Sequence, residues 1–172
     1  MNKLTKIGFG GGCHWCTEAV FQSLNGVYKV EQGFITPEEA GSFSEAVIVH
    51  YDSNKIPLKV LIEIHLHTHQ STSAHSMRAK YRSAIYAFNE KALKLAELHL
   101  RELQCYFDQK LITKVYNFKA FKPSLETFKD YFYTNPQKPF CTTYIAPKLK
   151  VLLTRFTAHA NENKINMNYE LR

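Results

Sequence analysis

The pattern of apolar and polar positions divides the chain into short strands and helices. Runs rich in branched apolar residues, bounded by Gly, Pro, Asn and Asp, predict strands at residues 5–9, 27–34, 45–51, 81–88 and 112–118. Apolar residues at helical spacing predict helices at residues 15–24, 57–65, 90–103, 124–133 and 147–159. The longest of these helices follows Asn89, a residue type that caps helix N-termini.

The predicted strands and helices intermix without a regular β-α-β alternation. This order favours an α+β fold, and we expect a single-domain two-layer α/β sandwich of the ferredoxin-like type, with helices packed on a mixed sheet. The sequence has no internal repeat and no linker. Residues 1–156 are therefore predicted to form one domain, and residues 157–172 a polar C-terminal tail.

Composition narrows the class of protein. Of the 172 residues, 45% are apolar, which supplies a core and excludes a disordered chain. The net charge of +7 comes from dispersed Lys and Arg without a nucleic-acid-binding motif, so solvated faces explain it. No run approaches the roughly 20 apolar residues of a membrane helix, and residues 1–6 lack the apolar core of a signal peptide. We expect a cytoplasmic monomer without nucleic-acid or membrane partners.

A glycine turn, Gly10-Gly11-Gly12, lies between the first predicted strand and the first predicted helix and is followed by Cys13. The turn can present Cys13 at the helix N-terminus, where backbone N–H groups and the helix dipole favour a thiolate. Such a thiol is a nucleophile at neutral pH, although a buried packing cysteine is the alternative. The nearby glycines almost form a dinucleotide-binding motif, but Cys13 occupies the third glycine position, so we discard that interpretation.

A second cysteine, Cys16, completes a Cys-x-x-Cys pair, which is typical of thioredoxin-like redox sites and of half a zinc site. The histidines at 65, 67, 69 and 75 could add zinc ligands. Their segment is predicted to be a helix end and a loop, where this spacing does not converge. We therefore expect no metal and interpret these histidines as solvated or substrate-facing.

Several segments resemble, in the same order, the A-type peptide methionine sulfoxide reductases, whose signature is Gly-Cys-Phe-Trp. The matching signature here is Gly12-Cys13-His14-Trp15, and the resemblance spans about residues 5–153. Further matching segments are residues 44–49 (SEAVIV), 62–65 (IEIH), 81–86 (YRSAIY), 130–131 (DY), 135–136 (NP), 140–141 (FC) and 145–148 (IAPK).

The resemblance implies a thiol-dependent reduction of methionine-S-sulfoxide, peptide-bound or free, without a tightly bound cofactor. Cys13 matches the nucleophile, Glu45 the acid that protonates the departing oxygen, and Tyr81 a hydroxyl donor. Trp15 matches the wall that receives the substrate methyl group. Cys13 then becomes a sulfenic acid, a second cysteine forms a disulfide with it, and thioredoxin reduces that disulfide.

The residues themselves support part of this assignment. Glu45 begins an apolar strand, where desolvation would keep a carboxyl group protonated at neutral pH, although a solvent-facing strand end is the alternative. Cys141 matches a resolving position of the family and lies in a loop bounded by prolines that we expect to be mobile, so we expect it to be the resolving cysteine, with Cys16 as the alternative. Cys105 is expected to be a buried packing thiol.

Departures from the family pattern concentrate in the substrate-binding residues. His14 stands where a Phe is usual, and as a histidinium it could stabilise the Cys13 thiolate. Ser76 stands near the place of an acidic residue, and we expect His14, Trp15 and Ser76 to contact substrate. The segment with a second catalytic tyrosine is missing. Unless Tyr28, Tyr86, His14 or a water replaces its hydroxyl, transition-state stabilisation should fall by ~3 kcal/mol.

Two other functions are compatible with the sequence. One is a thiol–disulfide oxidoreductase that uses Cys13 and Cys16. The other is a catalytically impaired relative that binds oxidised methionine or a protein.

Overall fold

The computed structural model describes residues 4–39 and 41–168. Its five strands are β1 (Leu4–Gly10), β2 (Val27–Pro37), β3 (Ser44–Asp52), β4 (Ala84–Ala87) and β5 (Lys114–Pro123). Its α-helices are α1 (His14–Gln22), α2 (Leu58–His67), α3 (Glu90–Leu103), α4 (Tyr131–Thr134), α5 (Ala146–Arg155) and α6 (Glu162–Asn168). Within these ranges, no helix has the length and apolar character needed to cross a bilayer.

The sheet closes on itself in the order β1-β3-β2-β5-β4. Strand β1 pairs antiparallel with both β3 and β4, β2 pairs antiparallel with β3 and β5, and β4 and β5 are parallel. The predicted α+β domain with a mixed sheet and packed helices is confirmed. The finer prediction of a ferredoxin-like two-layer sandwich is not supported, because the β1–β4 pairing closes the five-stranded sheet.

Strands β2 to β5 divide their apolar side chains between two clusters, as the alternation of a strand requires, whereas β1 contributes to the main core alone. In β3, Val47 and Val49 join the main core formed with the helices, whereas Ile48 joins a smaller cluster around Tyr86. A Cβ added to Gly8 would lie 2.9 Å from the Cβ of Tyr86. The small cluster is therefore filled tightly enough to require glycine opposite Tyr86.

The first helix packs on the sheet and is held from its C-terminal end. The rings of Phe9 in β1 and Phe21 in α1 stack with centroids 4.7 Å apart. Beyond the helix, the Asn161 N–H donates to the Ser23 carbonyl at 2.8 Å, and Ile165 in α6 is fully buried. Residues 157–168 are therefore part of the folded domain rather than the predicted polar tail, of which residues 169–172 lie outside the described residues.

Three other expectations change. The strand predicted at 81–88 is confined to β4, because residues 81–83 continue the turn that precedes it. The helix predicted at 124–133 is a 3-10 turn, Glu126–Phe128, followed by the short α4. Cys105 is exposed, and its thiol donates to the Glu102 carbonyl at 3.3 Å, so the prediction of a buried packing thiol is wrong.

Candidate active site

Cys13 is the N-terminal cap of α1, directly after the glycine turn. Its carbonyl accepts hydrogen bonds from the N–H groups of Cys16 (3.1 Å) and Thr17 (3.2 Å), which begin the helix. The Cys13 side chain is half-buried and lines a cleft. The predicted position of this cysteine at the mouth of the first helix is confirmed.

The backbone of the turn is packed against His69. Gly11 has a φ of +153°, and a Cβ at this position would lie 2.4 Å from the Cδ2 atom of the His69 ring. That ring is fixed by its Nε2 atom, 2.8 Å from the Ser83 hydroxyl. Glycine at position 11 therefore allows the chain to pass His69 and reach Cys13.

We expect Gly11→Ala to lower the free energy of unfolding by about 2–3 kcal/mol, because the added methyl group meets a fixed ring on strained backbone. Denaturant unfolding measures the change. The matched control is Gly41→Ala, since a Cβ at Gly41 meets no atom within 4 Å. Equal unfolding midpoints for the two variants would contradict this account of the turn.

The two cysteines of the Cys-x-x-Cys pair differ in acidity. The Cys16 thiol donates a hydrogen bond to the Cys13 sulfur and, with the backbone N–H groups of Trp15 and Cys16, lowers the pKa of the Cys13 thiol against the effect of burial. The same hydrogen bond and burial raise the pKa of the Cys16 thiol. Cys13 is therefore the thiolate of the pair, and Cys16 the protonated partner within reach of it.

Glu45 is the second residue of β3 and faces the same cleft as Cys13. The cleft has a volume of about 590 Å³, and Trp15 and Tyr81 also line it. Only 6% of Glu45 is exposed, so the alternative interpretation of Glu45 as a solvent-facing residue at a strand end is excluded. The structure thus brings together the four residues that the resemblance placed at the reacting centre.

His14 contacts Glu45 rather than the cysteine. Its Nε2 atom lies 3.2 Å from Glu45 Oε1, and its backbone N–H donates to the same oxygen at 3.3 Å. On the other side of the ring, Nδ1 lies 2.7 Å from the Gly33 carbonyl. Burial lowers the pKa of His14. Because both ring nitrogens face Gly33 and Glu45, the suggestion that a histidinium stabilises the Cys13 thiolate directly finds no support.

Trp15 is held in place by aromatic rings. It stacks on Tyr131 at 4.1 Å with an interplanar angle of 8°, lies over Phe128 at 5.6 Å, and meets Phe140 edge-on at 5.3 Å. This aromatic cage was not predicted from the sequence, because its members come from residues far apart in the chain. A fixed indole wall of this kind suits a small apolar group of a substrate.

A buried carboxylate positions the Tyr131 side of this cage. The Glu18 side chain in α1 accepts hydrogen bonds from the N–H groups of Asp130 (3.1 Å) and Tyr131 (3.2 Å) and from the Gln32 amide (3.1 Å). Burial raises the pKa of Glu18 to about 7. Glu18 therefore ties the segment before α4 to the helix that carries Cys13.

Tyr81 and Lys80 complete the cleft opposite the helix. The Lys80 ammonium lies 3.7 Å from Glu45 Oε2 and 5.1 Å from the centroid of the Tyr81 ring. Its interaction with the Tyr81 hydroxyl, and then with Glu45, raises the pKa of Lys80. Lys80, which was not predicted as a site residue, places a cation beside both groups.

Other predicted site residues lie elsewhere. Ser76 is exposed and lines neither the cleft nor the neighbouring cavity, so the expectation that it contacts substrate finds no support. Tyr28 is 53% exposed, and Tyr86 is buried among the barrel side chains with its hydroxyl 3.1 Å from an Arg82 nitrogen. Of the three side chains expected to replace the missing hydroxyl, His14 is the one that lines the cleft.

Cys141 is fully buried and begins a π-helical turn, Cys141–Ile145, that leads into α5. The expected mobile loop at this cysteine is wrong, because the segment is helical and packed in the main core. Burial raises the pKa of the Cys141 thiol. The thiol that interacts with the Cys13 sulfur is that of Cys16.

A second cavity of about 330 Å³ lies on the other side of Cys13. It is lined by Cys16, His69, His75 and Lys148, among other residues. His69 uses its ring nitrogens on the Ser83 hydroxyl and the His65 carbonyl. In the part of the chain that the structure describes, no three His, Cys, Asp or Glu side chains are grouped to hold a metal ion.

A half-buried thiol of lowered pKa and a buried carboxyl group, facing one cleft with a fixed aromatic wall, define a cysteine-dependent enzyme with nucleophile and acid in separate elements. Comparison with known proteins agrees with this class. Residues 5–161 match the family model of the peptide methionine sulfoxide reductases.

Individual relatives give the same result. The peptide methionine sulfoxide reductase MsrA of Nitratiruptor sp. is 31% identical over 162 residues, covering 86% of this chain and 93% of that protein. MsrA of Pasteurella multocida is 32% identical over 164 residues, covering 86% and 94%. The structure of reduced Mxr1 from Saccharomyces cerevisiae superposes with a TM-score of 0.70 at 25% identity, covering 83% of this chain and 91% of that one.

The chain therefore belongs to the peptide methionine sulfoxide reductase family, and the resemblance seen in its motifs is confirmed.

Proposed function

We propose that this protein reduces methionine-S-sulfoxide, peptide-bound or free, to methionine by attack of the Cys13 thiolate on the sulfoxide sulfur. The observation that carries the proposal is the shared cleft, in which Cys13, with its lowered thiol pKa, and the buried Glu45 both face the space beside Trp15. The family membership supplies the substrate class. The side chains of the cleft perform the reaction with the sulfoxide, and an external dithiol restores the reduced protein.

The first step exchanges one oxygen between two sulfur atoms. The Cys13 thiolate reacts with the sulfoxide and with one proton, which Glu45 donates. The products are a Cys13 sulfenic acid and the methionine thioether. The sulfoxide sulfur is reduced by two electrons, and the Cys13 sulfur is oxidised by two. Tyr81 lines the cleft where its hydroxyl can hydrogen-bond the departing oxygen.

Cys16 is the resolving cysteine in this proposal. Its thiol already donates a hydrogen bond to the Cys13 sulfur, and residues three apart on a first helical turn are close enough for a disulfide. The Cys16 thiol attacks the sulfenic sulfur, a disulfide forms, and water leaves. The alternative resolving cysteine is the buried Cys141, and disulfide mapping distinguishes the two.

The disulfide needs a dithiol reductant, and we propose thioredoxin. The yeast structural relative Mxr1 has been solved in complex with Trx2. A cytoplasmic location accords with this chemistry, because reducing compartments supply such dithiols.

One observation also favours a second function, thiol–disulfide exchange. The hydrogen bond between Cys16 and Cys13 is the arrangement of a Cys-x-x-Cys redox pair with one acidic thiol. In that case turnover would require both cysteines and would be indifferent to Glu45.

A single-turnover experiment without reductant tests the proposal. The reduced protein is mixed with the S and R epimers of a methionine sulfoxide peptide, and methionine, free thiols and disulfide-linked fragments are measured. We expect the S epimer to yield one methionine per chain with loss of two thiols, and a fragment joining Cys13 to Cys16. Equal reaction with both epimers, or no methionine, would contradict the proposed reaction, and a fragment joining Cys13 to Cys141 would replace the resolving cysteine.

A further inference from the structure

The imidazole of His14 is fixed between two oxygen acceptors. Nδ1 lies 2.7 Å from the Gly33 carbonyl, and Nε2 lies 3.2 Å from Glu45 Oε1. Its ring also meets the Phe34 ring edge-on at 5.1 Å. The side chains of His14 and Glu45 are each only 8% exposed, so water does not separate them freely.

This geometry determines how many protons the two side chains can hold. A carbonyl oxygen only accepts hydrogen bonds, so Nδ1 of His14 carries a hydrogen. Without a further proton, the Nε2 lone pair would face an ionised Glu45 in a buried place, and with two further protons the buried pair would carry a net positive charge beside the Lys80 ammonium. One proton between Nε2 and Oε1 satisfies both atoms.

We propose that His14 and Glu45 form a pair that holds a single proton between them and delivers it to the sulfoxide oxygen, which makes His14 a positioning residue that acts through Glu45. This inference rests on the proposed function. It assigns a role to the histidine that replaces the family's Phe.

The charged groups around His14 and Glu45 support a single shared proton. The Lys80 ammonium, 3.7 Å from Glu45 Oε2, balances an ionised Glu45 when the proton resides on His14. When the proton resides on Glu45, the ring is neutral, the form that burial favours by lowering the pKa of His14. Tyr81 also faces the cleft and interacts with Lys80 rather than with the His14 ring. In both arrangements the pair has no net charge.

A pair without net charge also suits the nucleophile. An ionised Glu45 raises the pKa of the Cys13 thiol, which would disfavour the thiolate. The single proton removes that repulsion, so the thiolate and the proton it needs coexist in one cleft. In the reaction the S–O bond of the sulfoxide breaks and the oxygen, with the pair's proton, becomes the hydroxyl of the Cys13 sulfenic acid. The pair then regains a proton from solvent.

Nitrogen NMR of protein labelled with ¹⁵N-histidine tests the pair without any turnover. We expect the His14 signals to show a proton on Nδ1. We expect Glu45→Gln to lower the His14 titration midpoint by ~1 pH unit or more, a tenfold change in proton affinity, because the charge of Glu45 raises the pKa of His14. His50, whose Nε2 lies 2.7 Å from Glu31, is the internal control, and its signals should not respond. A neutral ring with its proton on Nε2, or a His14 titration unchanged by Glu45→Gln, would overturn the proposal.

A kinetic measurement adds a readout that packing alone would not change. In His14→Phe an aromatic ring can keep the contact with Phe34, but no lone pair helps hold the proton. We expect its loss of kcat/KM for methionine sulfoxide to be about tenfold greater at pH 8 than at pH 6. The matched control His50→Phe should follow the wild-type profile.

A constant loss across this pH range would overturn the pair even if His14→Phe were less active. If the wild-type protein reduces no sulfoxide at any pH, the proposed function fails, and the NMR titration still decides whether the pair exists.

Discussion

Cys13→Ser abolishes the reduction of methionine sulfoxide, with an expected loss on the order of 10⁴-fold or more. A serine hydroxyl is not ionised at neutral pH, and the Cys16 thiol that lowers the pKa of Cys13 cannot replace it, because the same hydrogen bond and burial raise the pKa of Cys16. The measurement is methionine formed from a sulfoxide peptide with excess dithiol.

The matched control for this variant is Cys105→Ser. Cys105 is an exposed thiol at the end of α3 and lines neither cavity at the Cys13 turn, so its loss should leave the reaction unchanged. Because serine is nearly isosteric with cysteine, both variants should unfold at similar denaturant concentrations. Measurable turnover by Cys13→Ser above the rate without protein would exclude Cys13 as the nucleophile.

The sequence was sufficient to predict the position of Cys13 at the start of the first helix. Three glycines before Cys13 and apolar residues at helical spacing after it predict a strand, a turn and a helix, and local geometry alone determines that order. The assignment of Glu45 came from the resemblance of residues 44–49 to the family, since its place at the start of an apolar strand left a solvent-facing strand end open. The strand itself and the turn before Cys13 were predictable, because short stretches of chain determine their structure with little dependence on distant residues.

The sequence could not predict the closure of the sheet or the partners of the site residues. Closure depends on the β1–β4 pairing, between residues about 76 positions apart in register, such as Phe9 with Ile85. The contact between His14 and Glu45 and the stacking of Tyr131 on Trp15 likewise join distant segments. Such contacts leave no periodic signal in a single sequence, which is why neither the closed sheet nor the contact of His14 with Glu45 was predicted.

The second large effect is expected for Glu45→Gln. Glutamine can occupy the same buried space but cannot donate an acidic proton to the departing oxygen, and general acid catalysis contributes about 10²–10⁴-fold. We expect kcat for sulfoxide reduction to fall by that factor. The matched control is Glu31→Gln, which alters the Glu31–His50 contact, a glutamate–histidine pair whose side chains are about one-third exposed.

A separate readout distinguishes loss of the acid from loss of the nucleophile. The charge of Glu45 can only raise the pKa of the Cys13 thiol, so alkylation of Cys13 by iodoacetamide should be at least as fast in Glu45→Gln as in the wild type. The thiolate then remains available while the oxygen lacks its proton, and reduction slows although attack is still possible. Sulfoxide reduction within threefold of the wild-type rate would show that another group supplies the proton, and Lys80 and Tyr81, which line the same cleft, would be the next to substitute.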